Sequence, residues 1–503
     1  MPGSLNTPWS WGFVILISLL FQAGLPIVSD EAYFIAWGKD LAPGFYDHPP
    51  LPGWISYMLR QIGEALGLET HGILHRIFAL TLGATSLVLV GARLKALGAK
   101  SSALIALALI PGYLVLFNLY LNDTLLAFTS LVFLLAVEHC YRTEKGVWLS
   151  VLTAGLAFSL VLLTKYNGAF VFLGIVLALT TWPAGRRFLV TRMLAVSLIA
   201  AVPFIWHLWW NYNQCSINLA FNFGFRKSGA TGYGPLWLLL ALVVMTGPVA
   251  FLAGFASWKN RALGEFGFFT RVFLGNLVVV FTISVWLRDF GVNWGAPLGF
   301  IGLLALAEQD RGGGFETARK IGLVLSAILL LPLGGLMAGL KFDLLRAEDL
   351  VSVKKAHAAD LHLDIASGAL TDALRPLVAG KVMASMEYGI GAGFDNAGFA
   401  ETAVLSRSVY GRNQDLMTDF RALDGRDFVL LPNSAKADTK LAARLFDSYE
   451  VISVKTPRQS YEVILGQGFD YDSYRLDWIN PVMSAYYEQS PIPYRACFMD
   501  RYR

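Results

Sequence analysis

Apolar positions along this chain gather into eleven runs separated by short polar stretches. They cover roughly residues 11–28, 72–92, 101–118, 124–141, 147–163, 168–182, 193–210, 234–256, 272–287, 294–307 and 321–340. A helix that crosses a bilayer needs about 20 mostly apolar residues. The pattern therefore predicts a multi-pass α-helical membrane protein with about 11 transmembrane helices, some short enough to be tilted or re-entrant. Between the runs at 147–163 and 168–182, only Lys165-Tyr166-Asn167-Gly168 provides a break. That segment must be a tight turn, and non-helical backbone at such depth has to be covered by protein or line a cavity. The first run has the length of a signal peptide, but Met1–Ser10 carries no Lys or Arg and no small-x-small cleavage site follows. It is expected to stay as the first helix.

The pattern changes near residue 341, where charges become frequent and apolar runs shorten. Val382–Met386, Phe428–Leu431 and Tyr461–Leu465 read as strands, and Thr439–Phe446 as a helix. Two domains are expected: 1–340 in the membrane, and 341–503 as a small extracytoplasmic α/β domain. Loops with Arg93, Lys95, Lys100, Arg142, Lys145, Arg186, Arg187, Arg192, Lys259, Arg261, Arg271, Arg311, Arg319 and Lys320 hold most of the cations. Those loops face the cytoplasm by the positive-inside rule, which puts loop 29–71 and everything after 341 outside. Loop 29–71 is itself apolar, with Tyr33, Phe34, Ile35, Trp37, Trp54, Ile55 and Tyr57. It is expected to form helices lying at the membrane interface, broken by Pro43-Gly44 and Pro49-Pro50.

Composition strengthens the membrane reading: 55% of residues are hydrophobic and 15% charged, against about 25% charged in soluble domains. Mean hydropathy is +0.53. The net charge of +4 rests on scattered cations, so nucleic acid is not an expected partner. Three cysteines make no disulfide framework. Cys215 and Cys497 both fall outside on this topology and can pair there, or stay free. Cys140 reads as a buried thiol near the inner face. The chain shows no zinc-type His/Cys cluster, no phosphate-binding glycine loop and no nucleophile elbow.

Polar residues at the outer ends of the runs are the candidate chemistry. Asp30-Glu31 follows the first run, and such a pair either ends a helix in water or supplies a general base, Asp30, tuned by Glu31. Tyr46-Asp47-His48-Pro49-Pro50 is either a rigid turn or a phosphate contact by His48, oriented by Asp47. Asn122-Asp123 opens the fourth run, where either residue suits a helix cap; Asp123 also suits a site shared with Asp30. Lys165-Tyr166 offers an ammonium for phosphate or a snorkelling side chain. Arg226-Lys227 lies in the Gly-rich loop 211–233, either closing over an anion or merely solvated. Arg288, beside Asp289, and Asn293-Trp294 form the last outer group.

Ser29-Asp30-Glu31-Ala32-Tyr33 followed by Tyr46-Asp47-His48-Pro49-Pro50-Leu51 resembles the first outer loop of the GT-C glycosyltransferases. The similarity is greatest to the bacterial branch of the dolichyl-phosphate-mannose protein mannosyltransferase family, whose relatives move aminoarabinose or galacturonic acid onto lipid A and lipopolysaccharide core. Asn122-Asp123, Thr164-Lys165-Tyr166-Asn167-Gly168 and Asn293-Trp294-Gly295-Ala296-Pro297 look like its later membrane motifs. Gly411-Arg412-Asn413-Gln414-Asp415 and Phe446-Asp447-Ser448-Tyr449-Glu450 look like its outer domain.

The resemblance implies an inverting glycosyltransferase of the inner membrane with its site toward the periplasm. A polyprenyl-phosphate carrier would donate the sugar, and a lipid or envelope glycan would accept it. Asp30 would be the base, Asp123 would support the site, and Lys165, Arg226 and Lys227 would meet the phosphate. His48 stands where the aminoarabinose transferases have Lys, which would make that contact depend on pH near 6.5, roughly where histidine titrates. No cofactor is implied, and a divalent metal stays open as an alternative. Competing readings are a protein O-mannosyltransferase-type enzyme, a lipid-linked-sugar transporter and an assembly protein. A transporter would place polar groups near the midplane within repeats, which this sequence does not show.

Overall fold

The computed structural model describes residues 6–27, 29–68, 72–100, 102–224, 233–260, 266–288, 290–309, 313–408, 413–432 and 437–503. Two compact units emerge: Met1–Gly24, Arg76–Trp206 and Gly229–Leu336 form the first, and Leu25–His75, His207–Ser228 and Met337–Arg503 the second. The linear division at 340 therefore differs from the spatial one. The outer loop after the first helix, and the segment around Cys215, group with the C-terminal part because their side chains build its core.

Among the described residues, six helices are long and apolar enough to cross a membrane, or up to eight if each of two bent pairs is one span. The six are Ile73–Ala96, Asn122–Arg142, Val147–Thr164, Pro183–Tyr212, Phe268–Leu287 and Gly314–Lys341. The expected figure of about 11 differs because several apolar runs are not single rods. Run 101–118 breaks into Ser102–Ala108 and Pro111–Leu116, since proline lacks an amide donor and clashes with the preceding turn. Run 234–256 divides at Gly247-Pro248 into helices 103° apart. Run 168–182 gives only Ala169–Leu179, and run 294–307 becomes Ala296–Gln309. Packing in this unit uses small residues: a Cβ at Gly275 would stand 2.4 Å from the Gly174 carbonyl oxygen, so these helices approach backbone to backbone.

The C-terminal part holds a five-stranded sheet: β1 Val382–Ser385, β2 Thr402–Val404, β3 Phe428–Leu431, β4 Phe446–Lys455 and β5 Ser460–Phe469. Its order is β2-β1-β3-β5-β4, with β1 parallel to β2 and β3, and β5 antiparallel to β3 and β4. β1 and β3 are buried throughout. Alternation sends Val382, Ala384, Phe428 and Leu430 into one core, and Met383, Val429 and Leu431 into the other. A disulfide joins Cys215 to Cys497 within the first of these cores, while Cys140 is a buried free thiol.

Within the outer loop, one of the two helices is covered by protein. Helix Ser29–Ala36 buries six residues, Glu31 to Ala36, because helix Tyr388–Asn396 covers it. Asn396 Nδ2 donates to the Ala32 carbonyl at 2.9 Å. Helix Leu51–Ala65 follows Pro49-Pro50 and has a mixed, half-buried surface.

Candidate active site

In the first unit, three backbone breaks bring polar residues together. Helix Asn122–Arg142 starts after Leu121, which is extended and makes no side-chain cap. Asn122 and Asp123 are the first two residues of that helix. Helix Val147–Thr164 stops at Lys165, whose backbone is extended, and the turn Tyr166–Gly168 leads into the next helix. The turn Val292–Gly295 precedes helix Ala296–Gln309 and presents Asn293.

Lys165 Nζ donates to Asp123 Oδ1 at 2.8 Å, and Asn293 Nδ2 donates to Asp123 Oδ2 at 2.7 Å. Asp123 is 6% exposed. Both carboxylate oxygens of Asp123 are therefore engaged. The two other N–H donors of Lys165 have no partner among the described residues. The same holds for both amide atoms of the fully buried Asn122, and for both of Asn167. Leaving a buried polar group unmatched costs about 1–3 kcal/mol, and such groups are rare enough to need a reason. Tyr166 meets Phe204 edge-on at 6.2 Å, and Trp294 sits against Phe170 and Phe290. These aromatic residues frame the cluster. Arg288 is exposed and ends helix Phe268–Leu287 in a left-handed conformation. Arg226, Lys227 and Asp289 lie outside the described residues, as do Gly411 and Arg412.

In the second unit, Asp30 is exposed in the first turn of helix Ser29–Ala36. Its Oδ1 accepts a hydrogen bond from the Tyr388 hydroxyl at 2.8 Å. Glu31 is 4% exposed and turned into protein. Asp47 links the segment: Oδ1 accepts from the Tyr33 hydroxyl at 3.3 Å, and Oδ2 lies 3.1 Å from His48 Nδ1. That separation suits an ion pair once the imidazole is protonated, although His48 Nδ1 is not aligned as a hydrogen-bond donor. His48 is buried edge-on to Phe34 and beside Trp37. Tyr46 is different: it is 1% exposed and packs on Phe221 in the core, with its amide donating to Asn413 Oδ1. Packing occupies its ring, so it is a structural residue where substrate contact was expected.

Sequence reasoning missed Tyr388, Glu387 and Asn222. Asn222 Nδ2 donates to the Asp47 carbonyl at 2.8 Å and fixes the Asp47-His48 turn. Burial and then the charge of Asp30 raise the Glu387 carboxyl above its ordinary value. Burial, followed by Asp30, raises the Tyr388 phenol as well. Among the described residues, no three His, Cys, Asp or Glu side chains group as metal ligands.

These observations can be set beside known proteins. Residues 47–210 match the model of the dolichyl-phosphate-mannose-protein mannosyltransferase family. Lipid A galacturonosyltransferase RgtD of Rhizobium johnstonii is 30% identical over 186 residues, 36% of this chain and 38% of its own length. The chain thus matches well under half of that relative. In structure, ArnT from Cupriavidus metallidurans bound to undecaprenyl phosphate superposes with a TM-score of 0.58 at 16% identity, over 91% of this chain and 98% of that one. Its apo form gives 0.58 at 14% identity, over 92% and 98%. The chain therefore shares the multi-pass helical fold of ArnT, with a small sheet domain after the last span.

Proposed function

We propose that this protein is an inverting glycosyltransferase that takes a sugar from a polyprenyl-phosphate carrier and gives it to a hydroxyl or phosphate of lipid A or another envelope lipid or glycan. The observation that carries this reading is the buried Asp123–Lys165–Asn293 cluster with the unmatched amides of Asn122 and Asn167. An ammonium with two unused donors, beside amide donors, is the chemistry that receives a phosphate. The partial likeness to the galacturonosyltransferase supports the substrate class, and the ArnT fold supports a lipid-phosphate carrier.

The reading gives Asp30 the acceptor's proton. The acceptor oxygen then attacks the anomeric carbon from the face opposite the phosphate. The bond from that carbon to the phosphate oxygen breaks, and polyprenyl phosphate leaves with the bonding pair. Lys165 and the amides meet its charge, so no acid is needed for departure. His48 and Asp47 are assigned to substrate contact, and Arg226, Lys227 and Arg288 to further anion attraction. Trp294 and Tyr166 frame the phosphate cluster. Glu31, buried beside Asp30, is assigned a supporting role.

The site is proposed to face the periplasm of an inner membrane. The loop cations give that orientation, and the Cys215–Cys497 disulfide fits an oxidising compartment.

The test uses the full chain in lipid nanodiscs, with undecaprenyl-phosphate-linked galacturonate, aminoarabinose and mannose offered in turn. Extracted outer-membrane lipid is the acceptor, and release of undecaprenyl phosphate is measured. One sugar should turn over, and Asp30→Asn should slow it about 100-fold or more, the lower range for losing a general base. Wild-type rates in Asp30→Asn would remove that residue as the base.

A further inference from the structure

We infer that Glu387 and Tyr388 are positioning residues for Asp30: the Tyr388 hydroxyl holds Oδ1 of the Asp30 carboxylate, leaving Oδ2 for the acceptor's proton, and Glu387 sets the charge beside it. The inference rests on the reading of Asp30 as the base.

Three features carry it. The first is contact: Tyr388 donates to Asp30 at 2.8 Å across 358 residues of sequence, and Asp30 Oδ2 has no partner among the described residues. The second is rigidity. Helix Tyr388–Asn396 is tied to helix Ser29–Ala36 at both ends, by Tyr388 to Asp30 and by Asn396 to the Ala32 carbonyl. The Tyr388 ring is held edge-on by Tyr33 at 4.9 Å. Gly389 allows the close seat, since a Cβ there would lie 3.2 Å from the Ser29 Cα.

The third feature is placement. Glu387 and Tyr388 follow the carboxyl end of β1, the central strand of the parallel trio, where α/β sheets present their functional residues. Ser385 Oγ donates to the Glu387 carbonyl at 3.0 Å and fixes the turn there.

The charged and titratable groups around Asp30 come from four elements. Its own helix adds Glu31 and Tyr33, and the next loop adds Asp47 and His48. Glu387 and Tyr388 follow β1, and His362 of helix Val353–Ala366 faces Gly389. Burial lowers His362, which keeps that imidazole neutral near pH 7. The raised phenol of Tyr388 keeps it a hydrogen-bond donor across the working pH range.

The experiment titrates the Asp30 carboxyl in the full chain in nanodiscs by infrared difference spectroscopy. Its band is identified by its absence in Asp30→Asn, so the readout does not depend on turnover. Tyr388→Phe removes a donor that favours the charged form, and the midpoint should move to higher pH. Glu387→Gln removes a neighbouring carboxylate, and the midpoint should move to lower pH. In the release assay, Tyr388→Phe should lower kcat about tenfold, roughly one lost hydrogen bond to a charged group. KM for the lipid donor should stay as it is.

A purely structural role would lower the yield of folded protein and leave both midpoints in place, which overturns the inference. Should Tyr388→Phe not fold, an unmoved midpoint in Glu387→Gln overturns it alone. Undiminished turnover in Asp30→Asn defeats the base reading and this inference together. Loss of turnover there, with unmoved midpoints, defeats only the positioning role.

Discussion

One helix, Asn122–Arg142, carries a buried carboxylate near each end, and the two ends are built differently. Glu138 is 5% exposed and is held by Arg93 at 2.5 Å and also by Arg142. Arg93 lies over the ring of Phe269, and Arg192 donates to the Cys140 and Thr143 carbonyls nearby. Asp123, about 22 Å away along the helix, accepts from the Lys165 ammonium and the Asn293 amide, and the side chains of Asn122, next to it in sequence, and Asn167, two residues after Lys165, have no partner among the described residues. The Glu138 end spends most of its cationic donors on protein groups, with Arg93 Nε buried and unmatched among the described residues. The Asp123 end keeps donors in reserve, which a folded protein tolerates where a ligand uses them.

The largest expected break in this comparison is Lys165→Met, which leaves Asp123 buried without its cation. Removing one partner of a buried pair costs about 3–5 kcal/mol, seen as a large drop in the unfolding temperature in detergent. Arg142→Met is the matched change at the other end. Arg142 is 54% exposed and Glu138 retains Arg93, so the expected loss is under about 1 kcal/mol. Equal losses would erase the distinction.

A sharper version uses Asn122→Leu and Asn167→Leu. If these amides were structural, removing them would destabilise the fold. As unmatched groups, they should be replaceable with stability unchanged or raised. Undecaprenyl phosphate binding should meanwhile weaken about tenfold per amide, roughly 1.4 kcal/mol.

The smallest effect concerns Glu387. Its carboxyl is raised by burial, then by Asp30, so folding favours its protonated form. The stability this gives is complete below the unfolded-state value, about 4.3. It is lost as pH rises through the higher folded value. Glu387→Gln should flatten that slope in unfolding measured between pH 4 and about pH 7, while a slope identical to wild type would exclude Glu387 as its source.

Much of this was legible from short motifs. Asp30, Asp47 and His48 lie within twenty residues of one another, and their spacing to Pro49-Pro50 marked the loop. Lys165-Tyr166-Asn167-Gly168 announced its turn because a lysine interrupts apolar sequence there. β1 and β3 were visible as short buried apolar runs. β4 was not, since as an edge strand it exposes Asp447, Ser448, Tyr449 and Glu450 and so reads as loop. The helix break at Ile110-Pro111 was hidden by hydropathy, which counts proline among apolar neighbours without registering its missing donor.

The partners of the candidate residues were least legible. Tyr388 sits 358 residues from Asp30, and Asn293 sits 170 from Asp123. Nothing local to either marks the pairing. Tyr46 misled for the opposite reason: it belongs to a motif by sequence, but its ring fills the core beneath it.

The most direct test of the reserved donors is undecaprenyl phosphate affinity in nanodiscs for wild type, Lys165→Met and Asn167→Leu, with Arg142→Met as the control. Weakening of at least about tenfold in the first two variants, with Arg142→Met unchanged, is the predicted result. Equal affinity in all four proteins would contradict the assignment of the Asp123 end as the phosphate site.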